Sequence, residues 1–109
     1  MASLYDVNRL VATGVYEFDT LLDGTRLWVR GSHDLSAGRH VRMVFHGVRR
    51  TTCPAWMAWP EFWHVREGDD VGPAVFGIRD REGTYEVVAE RVEIEIGWLS
   101  PRDERPPGA

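Results

Sequence analysis

The thiol of Cys53, the one cysteine of the chain, could act as a covalent nucleophile. A cysteine attacks a substrate only when a histidine and an orienting acid converge on it. His64 and the neighbouring Glu61 lie in the same segment and are the nearest candidates for those roles. No signature of a cysteine hydrolase surrounds Cys53, and a free cysteine at a strand end often packs as a small apolar residue. Cys53 and His64 are therefore catalytic candidates beside a structural alternative.

Two acids, Glu17 and Asp19, alternate with other residues and so would point to the same side of a strand. Inside a barrel and close to Trp28, such a pair could transfer protons or bind a polar ligand. On the outer face of a sandwich, the same acids would be a solvated strand surface. Both interpretations stay open, and Glu17 and Asp19 complete the set of catalytic candidates.

The four histidines lack the spacing of a metal site. Metal sites draw their ligands from patterns such as H-x-H, H-E-x-x-H or C-x-x-C, and none of these occurs in the sequence. The 11 glycines are scattered at turns and form no phosphate-binding loop. We therefore predict neither a metal nor a cofactor. The net charge of −4 argues against general nucleic-acid binding, which depends on neutralising phosphates.

An aromatic segment, residues 53–64, holds three of the five tryptophans. Trp56, Trp59 and Trp63 follow at helical spacing, but the proline directly after the second would break a continuous helix. The pattern predicts a helical turn over residues 54–59 and then a strand. The tryptophans could close the core, or form a surface for a protein partner or a small hydrophobic or aromatic ligand. The predicted binding residues are Trp28, Arg49, Arg50, Trp56, Trp59 and Trp63.

The first residues of the chain predict a short helix over about residues 4–12. Ser3 and Asp6 have the spacing of a capping box, in which the two residues satisfy each other's backbone N–H groups. Apolar residues then recur at helical spacing. We expect this helix to cover one face of a sheet.

The clearest local prediction is a β-hairpin around Asp23-Gly24. An Asp-Gly dipeptide between two alternating runs favours a type I′ turn, because both central residues of that turn need positive φ. With these two residues as the loop, residues that face each other across the hairpin have numbers that sum to 47. That register places Glu17 opposite Arg30 on the polar side and keeps the apolar residues together on the other.

Alternating apolar residues predict further strands at about residues 40–46, 62–66, 74–79, 84–89 and 92–98. Gly47 predicts a bulge or sharp bend, and the apolar side changes between Ala89 and Val92, which predicts a bulge or corner there. About seven antiparallel strands and one short helix indicate an all-β domain, either a compact sandwich or a small flattened barrel. We assign this domain to residues 1–99 and predict a disordered tail at residues 100–109, which are rich in proline and charge.

Length and composition fit one globular domain. A chain of 109 residues can bury one core without support from a metal or disulfide. Its one cysteine cannot form an internal disulfide, which favours a reducing, cytoplasmic location. The N-terminal residues lack the apolar run of a signal peptide, and no stretch approaches the roughly 18 apolar residues of a membrane span. We therefore expect no membrane partner.

The stretch from Leu27-Trp28-Val29-Arg30 to Arg42-Met43-Val44-Phe45-His46-Gly47-Val48 resembles small all-β bacterial proteins of the immunity type from polymorphic toxin systems. In those proteins, a strand ending in a Phe-x-Gly-Val-like turn follows a first hairpin. The resemblance covers about residues 15–52 and carries no functional residue over. It implies a stoichiometric protein that binds and blocks a partner.

The leading prediction is a cytoplasmic, non-enzymatic protein-binding domain, immunity-like or an accessory factor, that uses a Trp/Arg surface. The alternative is a β-barrel protein that binds a small molecule, or a small biosynthetic enzyme, with a tryptophan-lined pocket and acidic polar groups. A structural module that forms oligomers, for example a homodimer, is the third option.

Overall fold

The computed structural model describes residues 2–13, 15–33, 39–69 and 72–98, and places them in two antiparallel sheets and one helix. The elements are α1 (Leu4–Thr13), β1 (Val15–Asp23), β2 (Arg26–His33), β3 (Arg39–His46), β4 (Arg50–Thr51), β5 (Trp56–Ala58), β6 (Glu61–Arg66), β7 (Ala74–Arg79), β8 (Thr84–Ala89) and β9 (Arg91–Trp98). Sheet A has the order β5-β1-β2-β3-β9 and sheet B the order β4-β8-β7-β6. Both sheets are open, which confirms an all-β sandwich and not a closed barrel. The predicted tail at residues 100–109 lies outside the described residues.

The core lies between the two sheets and is made of aromatic and aliphatic side chains from both. Phe18 of β1 meets Phe62 of β6 edge to face, with ring centroids 5.5 Å apart. Phe45 of β3 meets Phe76 of β7 in the same way at 5.0 Å. These edge-to-face contacts hold the sheets together beyond the burial of apolar area alone.

Helix α1 forms where the sequence predicts it and one residue longer at its C-terminal end. The capping box is present: Ser3 donates its N–H to the Asp6 carboxylate at 2.8 Å, and Asp6 donates its N–H to the Ser3 hydroxyl at 3.3 Å. The hydrogen bond from the Ser3 backbone lowers the pKa of Asp6. Val7 and Val11 lie on the buried face of the helix, which contacts β6 and β1. No helix in the described part of the chain has the length and apolar character needed to cross a membrane.

Asn8 of α1 protects the edge strand β6 of sheet B. Asn8 donates from Nδ2 to the Phe62 carbonyl at 2.8 Å and accepts the Phe62 N–H at 2.9 Å. The amide of Asn8 thus takes the position of a neighbouring strand along β6. Edge strands need such protection because their unpaired backbone groups would otherwise pair with other chains.

The β1–β2 hairpin lies where the sequence predicts it, but the predicted register is wrong. Paired residues have numbers that sum to 49, because Asp23 pairs with Arg26 and the loop is Gly24-Thr25. Only the first loop residue has positive φ, 61° at Gly24, which is the pattern of a type II′ turn. A change of two positions keeps each side chain on its predicted face. It changes the charge partner, so that Asp19 and not Glu17 lies opposite Arg30.

Two of the four connections between the sheets, those after β3 and after β8, are corners that the sequence predicts. Gly47 follows β3 with a φ of 63°, and the next two N–H groups bond to Thr25 and to Val88 of sheet B. Glu90 separates β8 in sheet B from β9 in sheet A, and its N–H bonds to the His46 carbonyl. The predicted bend at Gly47 and the predicted corner between residues 89 and 92 are both confirmed.

The predicted helical turn over residues 54–59 is wrong, because Trp56–Ala58 is a short strand, β5, that pairs with β1. Thr20 of β1 donates its N–H to the Ala55 carbonyl at 2.9 Å and its hydroxyl to the Pro54 carbonyl. These bonds hold the segment extended against the sheet. The helical spacing of the tryptophans is therefore coincidental. With β4 and β5, the described residues form nine strands where about seven were predicted.

Candidate functional site

The predicted nucleophile and base do not come together. Cys53 is half-buried against the core, and burial raises the pKa of its thiol, which disfavours the reactive thiolate. His64 lies on β6, in a row that runs through Phe76 of β7 and Val87 of β8 to Thr51 of β4. Three strand spacings, about 14 Å, therefore separate His64 from the β4 end of sheet B, after which Cys53 follows.

The two candidate acids lie outside the sandwich. Glu17 and Asp19 are exposed on the outer face of sheet A, the face turned away from the core. Asp19 accepts a hydrogen bond from Arg30 Nε at 3.1 Å. Neither acid lines an interior cavity, as the enzymatic alternative would need. Among the described residues, no group of three or more histidines, cysteines or acids is arranged to hold a metal ion.

The six predicted binding residues divide between separate surfaces. Trp28 and Trp56 lie on the outer face of sheet A, whereas Trp63 and Arg50 lie on the outer face of sheet B. The remaining two lie at connections between strands: Arg49 is exposed beside β4, and Trp59 follows β5. The sequence could not assign them to faces, because the segment after residue 46 changes sheets more than once.

Trp63 packs against its own sheet. It lies opposite Gly77 of β7, and a Cβ atom added to Gly77 would come within 2.3 Å of the indole. The absence of a side chain at Gly77 lets the ring lie flat across the strand. Ion pairs stand beside it, Arg79 with Glu61 at 3.3 Å and Arg50 with Glu86 at 2.6 Å.

Trp59 has a backbone conformation that is rare for a bulky residue. Its φ of 52° is in the left-handed region, where a side chain other than glycine costs about 1–2 kcal/mol. Its indole is 50% exposed, and the Arg81 guanidinium lies over the ring at 5.6 Å from the centroid. Such strained positions concentrate at functional sites.

The outer face of sheet A carries a set of apolar side chains that we call the tryptophan strip: Trp56, Leu21, Trp28 and Val44. Leu21 of β1 pairs directly with Trp28 of β2, which pairs with Val44 of β3. Trp56 of β5 lies opposite Asp19, one side-chain position along β1 from Leu21. Leu21 is 61% exposed and Trp56 52% exposed, whereas Trp28 is half-buried and Val44 is only 8% exposed, so the strip presents its apolar area to solvent mainly on β5 and β1.

Charged pairs lie in the row next to Leu21, Trp28 and Val44 of the tryptophan strip. Arg42 of β3 donates a hydrogen bond to Glu95 of β9 at 2.7 Å, in line with the Asp19–Arg30 pair. A depression of about 440 Å³ opens between these charges and the indole of Trp28. Its lining consists of Arg26, Trp28, Arg42, Val44, His46, Glu93, Ile94 and Glu95.

We call the charged pairs beside the strip its charged frame, in which Glu93 is the most strongly paired acid. Arg91 donates a hydrogen bond to it at 2.6 Å, and His46 Nε2 lies 2.9 Å from the same oxygen, although that contact is not aligned as a hydrogen bond. The Arg91 hydrogen bond, with the nearby His46, lowers the pKa of Glu93 despite a smaller opposing effect of burial. These contacts therefore favour the ionised carboxylate of Glu93.

Sequence reasoning found Trp28 and Trp56 but missed the rest of this surface. Leu21 and Val44 were assigned only to strands, and the acids of β9 were not among the predicted site residues. Their common face depends on β9 lying beside β3 and β5 beside β1, which are pairings between distant parts of the chain. Comparison of the chain with protein-family models, with curated proteins and with solved structures gives no match. The resemblance to immunity-type proteins therefore stays a prediction.

Proposed function

We propose that the protein is a small non-enzymatic protein-binding domain, of the immunity or accessory kind, that docks a partner on the tryptophan strip. The observation that carries this proposal is the exposure of Trp56 and Leu21 beside Trp28 on one sheet face. An aromatic centre within a charged rim is the usual build of a protein interface. Because the thiol of Cys53 is free, the reducing cytoplasm is the proposed location.

The rigidity of the strip also supports a docking role. Its side chains project from four hydrogen-bonded strands, so their positions are set before a partner binds. Preorganised contact residues lose less conformational entropy on association. The depression beside Trp28 is large enough to accept one side chain of the partner as an anchor.

Site-specific photo-crosslinking in the native cell tests this proposal. A benzophenone side chain at Leu21 should give one dominant protein adduct, because this position lies in the strip. The matched control is Val65 on sheet B, which is 59% exposed against 61% for Leu21. Trp28→Ala and Trp56→Ala should each reduce the Leu21 adduct about tenfold, the change expected for loss of a hot-spot side chain. Identical adducts from Leu21 and Val65 would contradict the proposal.

The depression beside Trp28 also favours a second candidate, a small aromatic or hydrophobic ligand bound at the same place. Its volume of about 440 Å³ is within the usual range for ligand pockets. This ligand would lie on the outer face and not within a barrel as first predicted. Native mass spectrometry of the purified protein distinguishes the two: a co-purifying molecule that is lost in Trp28→Ala, without a protein adduct at Leu21, supports the ligand.

A further inference from the structure

We propose that the free edge of β9 is a second binding site, which accepts an extended strand of a partner protein with alternating apolar and basic residues. Strand addition at a sheet edge is a recurring mode of recognition, in which backbone hydrogen bonds give affinity and alternate side chains give specificity. The site shares Glu93 and Glu95 with the charged frame of the tryptophan strip, but its backbone groups lie on the opposite side of β9 from the strip.

Within the described residues, β9 is the one long edge that nothing covers. The other edge of sheet A is β5 with three residues, and one edge of sheet B is β4 with two. The remaining edge, β6, is blocked by Asn8 at Phe62 and is broken by a bulge after His64. By contrast, β9 runs straight for eight residues in unbroken register with β3.

The strand pairing across sheet A shows which backbone N–H and C=O groups of β9 point to its free side. Thr20 donates its N–H to Ala55, so its backbone groups face β5. The row that begins at Thr20 continues through Val29 and Met43 to Ile94. Backbone groups alternate between the two neighbours of an antiparallel strand, so those of Ile94 face away from β3. Val92, Ile94 and Ile96 are among the residues with backbone groups on the free side.

A cavity beside this edge can receive side chains of an added strand. It measures about 400 Å³ and lies between the sheets, where Val92 and Ile94 face Phe76 of β7 and Leu4 of α1. The three inward residues of β9 are only half-buried, although they pack against the core. An incoming residue opposite Ile94 would point to the same side and fill this space. Apolar residues are therefore expected at alternate positions of the partner strand.

The outward residues of β9 determine the charge of the partner. Glu93 and Glu95 are exposed on the outer face, each with one arginine partner, Arg91 or Arg42, and residues opposite them on an added strand would meet these carboxylates. Basic residues there form favourable cross-strand pairs. A second copy of the chain is disfavoured, because antiparallel pairing centred on Ile94 places each Glu93 opposite the Glu95 of its partner. Like charges directly opposite each other destabilise a sheet.

A synthetic nine-residue peptide of alternating valine and lysine tests the site on the full chain. It should bind on the order of tenfold more tightly than the matched valine–glutamate peptide, and Glu93→Lys with Glu95→Lys should reverse that order. Ile96→Pro removes one free N–H and is tolerated at an edge, so it should lower the affinity about tenfold. Ile96→Ala, which keeps the N–H, should bind within about twofold of wild type. Trp56→Ala should leave peptide binding unchanged even if partner docking on the strip is lost.

Amide hydrogen exchange of the wild-type protein supplies a readout that does not depend on any variant. Without peptide, the amides of Val92, Ile94 and Ile96 should exchange fast and those of Glu93 and Glu95 slowly. The valine–lysine peptide should slow the first three. The proposal is overturned if those amides are already protected in the free chain, which would mean a segment of its own covers the edge. Protection that rises with protein concentration, indicating a second copy, or peptide binding without protection would overturn it too.

Discussion

The two outer faces of the sandwich each carry tryptophan, but in opposite settings. On sheet B, Trp63 lies flat over Gly77 between ion-paired neighbours. On sheet A, Trp56 stands 52% exposed at the edge strand, next to an exposed leucine. The residue type is the same, and the difference lies in the residue that pairs with the tryptophan on the neighbouring strand. That residue is Gly77 for Trp63 and Asp19 for Trp56. An indole that packs over a glycine stabilises its own sheet. An indole with no glycine on the neighbouring strand stays exposed and can contact a partner.

The most direct test of this comparison is the pair Trp63→Ala and Trp56→Ala. Trp63→Ala should lower the free energy of unfolding by about 2 kcal/mol, because it removes a half-buried indole and uncovers Gly77. Trp56→Ala should change it by less than about 0.5 kcal/mol, as expected for an exposed side chain. Urea unfolding followed by circular dichroism measures both. Equal losses in the two variants would show that the faces do not differ in this way.

A second test changes the glycine instead of the tryptophan. Gly77→Ala should lower the free energy of unfolding by about 1–2 kcal/mol, since its Cβ would displace the indole of Trp63. In a Trp63→Ala background the same change should be neutral or slightly stabilising, because alanine is the better strand residue and nothing remains to displace. The double-mutant cycle gives the coupling between the two residues. Additive effects would mean that Trp63 does not depend on Gly77.

Parts of the fold with local causes could be predicted from the sequence. The capping box at Ser3 and Asp6 specified α1, and the change of apolar side near Glu90 specified a corner. The hairpin was located but its register was not. A loop at Asp23-Gly24 and the observed loop at Gly24-Thr25 place every side chain on the same face, so the apolar pattern cannot distinguish them.

The candidate site could be predicted only in part, because it depends on contacts between distant residues. The strand β5 has three residues, too few to show an alternating apolar pattern in the sequence. The residue that holds this segment by a hydrogen bond, Thr20, lies far away in the chain. The sequence does not reveal that β5 pairs with β1 or that β9 pairs with β3. It therefore could not show that Trp56 and Trp28 share a face with Glu93. The sequence could not show that Trp63 covers Gly77, because the two residues lie on different strands.

The smallest effect expected from the comparison concerns the charged frame of sheet A and its dependence on pH. Arg91 lowers the pKa of Glu93 in the folded protein, so the ionised carboxylate stabilises the native state. That stabilisation is complete above the unfolded pKa of about 4.3 and is lost as the pH falls through the lower folded pKa. Glu93→Gln cannot titrate at this position. Wild type should therefore be the more stable protein at neutral pH, and its advantage should disappear in the acid range.

Urea unfolding of wild type and Glu93→Gln between pH 7 and pH 3 measures this difference. The other carboxyl groups titrate in both proteins, so the difference between the curves isolates Glu93 from the general effect of acid. High salt should shrink the neutral-pH advantage, because the Glu93–Arg91 pair is exposed and screened. Curves that stay parallel across the whole range would mean that Glu93 titrates alike in the folded and unfolded chain. The frame of the tryptophan strip would then lack the pairing that sets it apart from a solvated strand surface.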